Sequence, residues 1–508
     1  MLMEEISLIS EVTLTGISWL TTLFIFAVGL GALVVAVLFV IDVSQTSDAI
    51  RRNYPVVGRF RYVFMALGEF FRQYFFAMDR EELPFNRAER EWAHRAAKGR
   101  GNTIAFGSTR NLAAPNTAIF VNCPFPTLDE DAVATKTMQI GPFCRTPYDA
   151  PSFFNISGMS YGALSGPAVR ALSLGAKKAK CWMNTGEGGL SSFHLEGGCD
   201  IVFQIGTAKY GVRDTDGKLS DKKLQEVAAH DQVRMFEIKL SQGAKPGKGG
   251  ILPADKVSAE IAAIRGIPEG EASISPNRHP EINSVDDLLT MIKRIRDVTG
   301  KPVGIKFVVG SYGWLDVLCT KIHERGAESA PDFITVDSGD GGTGAAPMPL
   351  MDNVGLVLRE SLPMVDDILT RRDLRKRIRL ISSGKLITPS GVAWALCAGA
   401  DFVVSARGFM FSLGCIQALK CNRNTCPTGI TTHNPRLQRG LKPERKSERV
   451  ASYWRNITHE VEIIAHSCGV DEPRGLNRNH VRIVQANGLS VPMADLHPRP
   501  GNEAEEKT

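Results

Sequence analysis

The chain of 508 residues has little excess of either charge: 60 Lys and Arg stand against 54 Asp and Glu, a net of +6. That balance leaves no electrostatic footprint for nucleic acid. Cysteine is scarce, ten residues in all, which excludes a disulfide scaffold. Long apolar runs are scarce too, and with 43% apolar and 22% charged residues the chain is neither a multi-span transporter nor mainly disordered. No repeat of solenoid period is visible. What the chain has in quantity is 48 Gly and 27 Pro, more than helices alone tolerate. Many tight loops, as in an α/β enzyme, would use them.

The one long uncharged run extends from Val12 to Ile41, with its apolar core from Ile17 to Ile41. About 20 apolar residues cross the hydrocarbon layer, so it suffices for a span. A cleaved signal peptide would need a basic leader and a shorter core. Here the leader carries Glu4, Glu5 and Glu11 and no Lys or Arg. A tail at 1–16 and a single membrane helix at 17–41 are therefore expected. Arg51, Arg52, Arg59 and Arg61 follow the run, which by the positive-inside rule puts the large C-terminal part in the cytoplasm. Thiols stay reduced there, favouring metal or cluster chemistry over disulfides. A second apolar stretch, Phe60 to Met78, is interrupted by Arg61, Glu69 and Arg72. Its pattern suits an interfacial amphipathic helix or a helix packed on a globular domain. Residues 42–140 then form a juxtamembrane helical and linking region.

From about residue 140 short β-rich runs alternate with amphipathic stretches. Candidate strands are Phe153–Ile156, Met235–Lys239, Val303–Val308, Phe333–Val336, Arg379–Ile381 and Phe402–Val404. Candidate helices are Pro167–Ala179, Ser284–Thr299, Leu315–Arg325 and Pro389–Ala398. Most strands run into Gly- or Ser-rich turns, such as Ser157-Gly158 and Ser382-Ser383-Gly384. Repeated βα units over some 300 residues favour a (β/α)8 TIM barrel with long loop insertions over 141–440, its functional groups at the C-terminal strand ends. The fold class expected is thus α/β, a TIM barrel preceded by one N-terminal transmembrane helix. Residues 441–508 form an extension whose polar end, 501–508, is expected to be disordered.

Gly339 to Gly344 matches G-x-G-x-x-G after a strand. A dinucleotide site would need a helix to begin there, and Pro347 and Pro349 interrupt it. A flexible loop that approaches a ligand closely fits better, with a plain tight turn as the alternative. Cys415, Cys421 and Cys426 form C-x5-C-x4-C. From spacing alone this can be an iron–sulfur ligand set, a zinc site completed by His433, or three inert thiols.

Five segments read together resemble one family. Met159 to Ser165, Asn184 to Gly189, Gln242 to Gly247, Asp340 to Ala345 and the cysteine triplet are similar to the FMN-binding synthase domain of glutamate synthase, over about residues 150–440. The resemblance implies a (β/α)8 barrel, FMN across the strand ends and a [3Fe–4S] cluster on Cys415, Cys421 and Cys426. It implies that Ser157, Gly158, Met159 and Ser160 line the isoalloxazine. The loop of Asp340, Gly341, Gly342, Thr343 and Gly344 would approach the cofactor, and turns at Gly384-Lys385 and Arg407-Gly408 would take its phosphate. Lys306 is the candidate cation beside the flavin, since a positive charge there stabilises the reduced ring.

The family's reaction is reductive amination of 2-oxoglutarate, with hydride from reduced FMN. By the same resemblance Lys239, Lys245 and Arg265 hold the dicarboxylate, Gln242 orients it, and Glu187 serves ammonia by holding ammonium or managing its proton. The expected partners are a 2-oxo acid, ammonia or an amine, and an external electron donor: ferredoxin, an NADPH-linked subunit or a membrane carrier.

The chain departs from the full synthases in three ways. It starts Met1-Leu2-Met3 where those begin with a nucleophilic cysteine, so no glutaminase is expected. Too few residues follow the barrel for the family's β-helix domain. Ile251 stands where the synthases carry glutamine, and Lys248 where they often carry an acid; a lost polar group in a site built for it changes selectivity. Three functions follow: a glutamate synthase-like oxidoreductase without its own glutaminase, an enzyme of N-methylglutamate synthase type using another amine, and a non-catalytic membrane-anchored scaffold.

Overall fold

A computed structural model describes residues 2–75, 78–101, 103–311 and 313–500. Residues 76 and 77 of the second apolar stretch and the 501–508 tail thus lie outside the described residues. The chain divides into two compact units, Met1–Glu82 and Leu83–Thr508.

The first unit contains α1 (Leu2–Ser44), α2 (Ala49–Asn53) and α3 (Phe60–Tyr74). Within α1, Thr13–Ser44 is long and apolar enough to cross a membrane. Asp42, fully buried, ends the apolar run. Its carboxylate accepts hydrogen bonds from Arg51 and Arg59, each at 2.8 Å, and from the Val56 N–H at 3.0 Å. Asp48 caps α2, its side chain accepting the Ile50 and Arg51 N–H groups, and so meets donors that a helix start leaves open.

The second unit is built on a closed barrel of eight parallel strands: β1 (Phe154–Ile156), β2 (Met183–Asn184), β3 (Ile201–Ile205), β4 (Val233–Lys239), β5 (Val303–Val308), β6 (Phe333–Asp337), β7 (Arg379–Ser383) and β8 (Phe402–Ser405). Their β-branched and aromatic runs are buried on both faces, as parallel strands under helices require. Six strands fall where apolar runs place them. β2 and β3 do not: β2 has two residues, and Ile-Val-Phe-Gln-Ile in β3 is a short buried run that periodicity alone does not distinguish from helix. The helices Gly166–Ala179 and Val285–Thr299 start at caps, where Ser165 and Ser284 accept an N–H from the first turn. The helix Leu358–Arg371 was unanticipated because it carries Pro363 inside it.

Trp182, Phe333 and Phe402, at or just before strand starts, pack with Ile140 and Tyr148 of the hairpin Met138–Ile140/Tyr148–Ala150. This plug fills the N-terminal end of the barrel and leaves the C-terminal end for a site. Outside, the 25-residue helix Pro443–Ser467 packs on Gly166–Ala179 and Arg87–Ala97. Farther on, buried Arg478 pairs with Asp366 at 2.9 Å and Asp367 at 2.8 Å, and Asp366 also takes Arg375 at 2.7 Å.

Candidate active site

The Asn184 to Gly189 turn leaves β2 with Asn184 Oδ1 accepting the Gly186 N–H at 2.9 Å. Glu187, one residue on, lies 3.0 Å from Lys239 Nζ. Lys239, the last residue of β4, also donates to Gln242 Oε1 at 2.6 Å. Gly250 packs on the same carboxylate so closely that a Cβ there would sit 2.6 Å from Glu187 Oε1. Glu187, Lys239, Gln242, Lys245, Ile251 and Arg265 all line one cavity of about 140 Å³, as do Gly158, Met159, Ser160, Gly342, Thr343 and Gly344.

Charge is unevenly compensated there. Burial alone would raise the Glu187 pKa, but Lys239, Lys245 and Arg265 together bring it down to about 2. Lys245 is 4% exposed. Desolvation, with repulsion from Lys239 and against attraction from Glu187, takes its ammonium from 10.5 to about 8. Arg265 rests on the Tyr210 ring at 5.1 Å and donates to Ser273 Oγ at 3.2 Å and the Tyr161 carbonyl at 3.4 Å. Its buried Nε has no partner among the described residues.

An adjoining cavity of about 70 Å³ is lined by Ser157, Gly158, Lys306, Asp337, Gly384, Lys385 and Arg407, and shares Lys239, Gln242 and Arg407 with the first. Lys306 Nζ lies 3.3 Å from Asp337 Oδ2. Burial opposes its charge, but Asp337, Glu237 and Glu187 outweigh that and hold its pKa above the ordinary lysine value. Gly384 has φ +136°, and a Cβ there would fall 2.3 Å from Ser338 Cβ, so only glycine lets the turns after β6 and β7 touch. Lys385 pairs with Asp340 at 2.9 Å. Arg407 donates to the Thr343 carbonyl. Gly408 lines neither cavity: it is covered by the Tyr453 hydroxyl, and its N–H goes to Ser405 Oγ at 3.3 Å.

Several residues without a sequence signal join the site. Glu237 on β4 is 3% exposed and accepts from Asn184 Nδ2 at 2.9 Å, Gln204 Nε2 at 2.6 Å and Thr335 Oγ1 at 2.6 Å. Its place two residues before Lys239, on the same strand face, is the one clue available. His194 and His279, both buried, bond the carbonyls of Met159 at 2.9 Å and Lys239 at 3.0 Å. Burial pushes both pKa values down to about 4. They are therefore neutral at pH 7, and since a carbonyl only accepts, Nε2 carries the proton in each.

Cys415, Cys421 and Cys426 line a third cavity of about 590 Å³ with Phe85, Phe411, Asp340 and Gly341. Arg407 Nη1 lies 3.8 Å from Cys421 Sγ, and Cys421 also borders the 140 Å³ cavity. Among the described residues no three His, Cys, Asp or Glu side chains converge as a metal-binding group. His433 Nε2 is 2.8 Å from the Gly162 carbonyl, which already engages the proposed fourth zinc ligand.

Residues 128–471 match the family model described as the conserved region in glutamate synthase. The glutamate synthase large subunit-like protein YerD of Bacillus subtilis (strain 168) is 38% identical over 93% of this chain and 98% of its own length. The archaeal glutamate synthase (NADPH) of Methanocaldococcus jannaschii is 34% identical over 65% of this chain and 61% of its own. The archaeal-type glutamate synthase (NADPH) of Thermotoga maritima is 32% identical over 73% and 69%. With its barrel and with that match across two thirds of its length, the chain belongs to the glutamate synthase family.

Proposed function

We propose that the protein is an FMN-dependent oxidoreductase that reductively aminates a 2-oxo dicarboxylate, with 2-oxoglutarate as the first candidate. One observation carries the reading: three cations and one carboxylate converge on a cavity that shares a wall with a second one bearing Lys306 at its base. The donor set of that second cavity suits FMN. Lys306 would offer a cation to the electron-rich edge of the ring, Ser157 and Gly158 in this cavity and Met159 and Ser160 in the first would line it, and Lys385 and Arg407 would offer charge to a phosphate. When bound and reduced by the external donor, FMN would supply the hydride, one proton with two electrons, that reduces the substrate's imine carbon.

The protein's own groups do the rest. Lys239, Lys245 and Arg265 bind the two carboxylates, with Gln242 fixing their orientation. Glu187, with a pKa of about 2, is a weak base, so it holds ammonium by charge and leaves proton exchange to groups that titrate nearer neutrality. Neutral His194 and His279 fix the carbonyls of Met159 and Lys239, and so keep the lining of both cavities in register.

A [3Fe–4S] cluster on Cys415, Cys421 and Cys426 is part of the proposal through the C-x5-C-x4-C resemblance and the cavity they share. The thiols as placed do not form a converged set. The apolar segment of α1 is proposed as a single membrane span with the barrel on the cytoplasmic side, from the arginines that follow it. Reducing equivalents come from an external donor; ferredoxin, an NADPH-linked subunit and a quinol are separated by which of them reduces the flavin.

The test is an absorption spectrum with flavin and iron assays on anaerobically purified protein, followed by turnover with 2-oxoglutarate and ammonia. About one FMN and about three iron per chain fit the reading. Flavin without iron reassigns the cysteines, and no flavin after reconstitution overturns it in favour of the scaffold. A second reading, with methylamine in place of ammonia, is favoured by Ile251, whose apolar side chain lines the cavity beside Glu187.

A further inference from the structure

Lys256 is only 2% exposed, and the function proposed above makes no use of it. It ends the one-turn helix Ala254–Lys256, between Ile251 and Arg265 of the substrate cavity. A lysine buried this completely is ordinarily paired with a carboxylate. Lys256 makes no ion pair among the described residues. Its Nζ donates instead to two main-chain carbonyls, Ala163 at 3.1 Å and Cys421 at 2.9 Å. Taking an ammonium out of water for two neutral acceptors is a poor exchange for stability alone.

What the two carbonyls share is the cavity. Ala163, from the loop after β1, and Cys421, from the cysteine loop, both line the 140 Å³ space, whereas Lys256 does not. The lysine stands behind the wall and holds two of its panels together. The same segments meet at further points. Asn424 Nδ2 donates to the Asp255 carbonyl at 2.9 Å, and His433 Nε2 to the Gly162 carbonyl at 2.8 Å. Arg265 Nη2 reaches the Tyr161 carbonyl at 3.4 Å, and a Cβ on Gly162 would fall 3.1 Å from the same nitrogen. Residues 159–165, 251–265 and 421–433 thus form one layer. Among these contacts Lys256 is the side chain that joins all three segments.

We propose that Lys256 is a positioning residue: its ammonium fixes the gap between the Met159–Ser165 loop and the Cys421 loop, and with it the width of the cavity that takes the 2-oxo acid. This rests on the reading of that cavity as the oxo-acid site, and the experiment below separates the two. Full-length parent and Lys256→Met, each as purified, are titrated with 2-oxoglutarate by calorimetry, and their amide exchange is followed by mass spectrometry. Methionine fills most of the space of the lysine stem and offers no donor. Lys256→Gln replaces it, under the same expectations, where the methionine variant does not fold.

The Kd for 2-oxoglutarate is expected to rise about tenfold in the variant, the scale of newly having to order one or two side chains at a binding site. Amide exchange at 160–165 and 420–426 is expected to become several-fold faster, with β3 and β5 at the parent's rates. An unchanged Kd overturns the positioning role, whatever the loops do. Faster exchange throughout, strands included, overturns it in favour of a general structural role. Weaker binding with both loops at the parent's rates assigns the effect to lost charge and also overturns it. No binding by the parent overturns the oxo-acid reading and leaves exchange to decide the pin: parent-like rates in both loops then overturn it as well.

Discussion

Glu187 Oε1 and Lys239 Nζ lie 3.0 Å apart, one from the turn after β2 and the other from the last position of β4. They join two loops that no sequence pattern connects. The carboxylate also feels Lys245 and Arg265, so it is outnumbered by cations, and that surplus positive charge would favour an anionic ligand in the cavity.

Glu187→Gln is expected to lower turnover about 100-fold, the scale of losing one group that acts by electrostatics at a reacting centre. It also removes the attraction that supports the Lys245 ammonium. The alkaline limb of kcat/KM is therefore expected to move to lower pH in the variant. A pH profile of both proteins checks this; an unmoved limb would show that Lys245 does not sense Glu187.

Lys245 titrates at about 8 in the folded chain against 10.5 for the free side chain. It is a cation below that pH and neutral above it. The value of kcat/KM for the oxo acid should thus fall about tenfold per pH unit above pH 8 if this ammonium binds carboxylate. Lys245→Met should abolish the limb and raise KM. Because the folded pKa is depressed, the unfolded chain holds more protons between about pH 8 and 10.5, so this group makes stability rise with pH in that window. Unfolding temperatures of parent and Lys245→Met across the window test the sign.

Glu237 is the shared acceptor of three buried donors, so Glu237→Ala leaves Asn184, Gln204 and Thr335 without it. A loss of about 3 kcal/mol or more is expected, seen as a lower unfolding temperature. Glu237→Gln keeps the shape and removes the negative charge facing Lys306. Its main effect is expected on the flavin, as a more positive midpoint potential by spectroelectrochemistry. A potential equal to the parent's would confine Glu237 to a structural role.

Ile251→Gln restores a polar group at the cavity wall. The ratio of kcat/KM for ammonia to that for methylamine should rise about 10-fold, within the range one polar contact in a pocket achieves. Lys248→Glu, whose side chain is outside that cavity's lining, should change the ratio little. Competition between the two amines in one assay measures both.

The barrel was legible because parallel strands under helices are continuous apolar runs, and Val303–Val308 or Phe402–Ser405 stand out as such. β2 did not, since Met183–Asn184 is too short to show a period. The Gly339 to Gly344 loop was separable from a dinucleotide site by Pro347 and Pro349, and it is indeed non-helical. Lys239, Lys245 and Arg265 were placed by resemblance, which does not give their charges. Those depend on burial and on neighbours from other strands. Glu237 and Asp337 were missed for a related reason: a lone acid within an apolar strand reveals its role only when the barrel closes and brings Asn184, Thr335 or Lys306 beside it.

Arg478 reaches back some hundred residues to Asp366 and Asp367, between the helices outside β6 and β7. The last stretch of chain is thus a keystone for the barrel. A protein cut after residue 470 would keep every barrel strand and every cavity residue named above, yet it would leave the fully buried Asp366 with Arg375 alone, without Arg478 and Arg499. Breaking such a buried pair costs about 3–5 kcal/mol, on the scale of a whole domain's margin. Trimming the chain to its recognisable barrel would therefore be a poor way to obtain a stable catalytic unit.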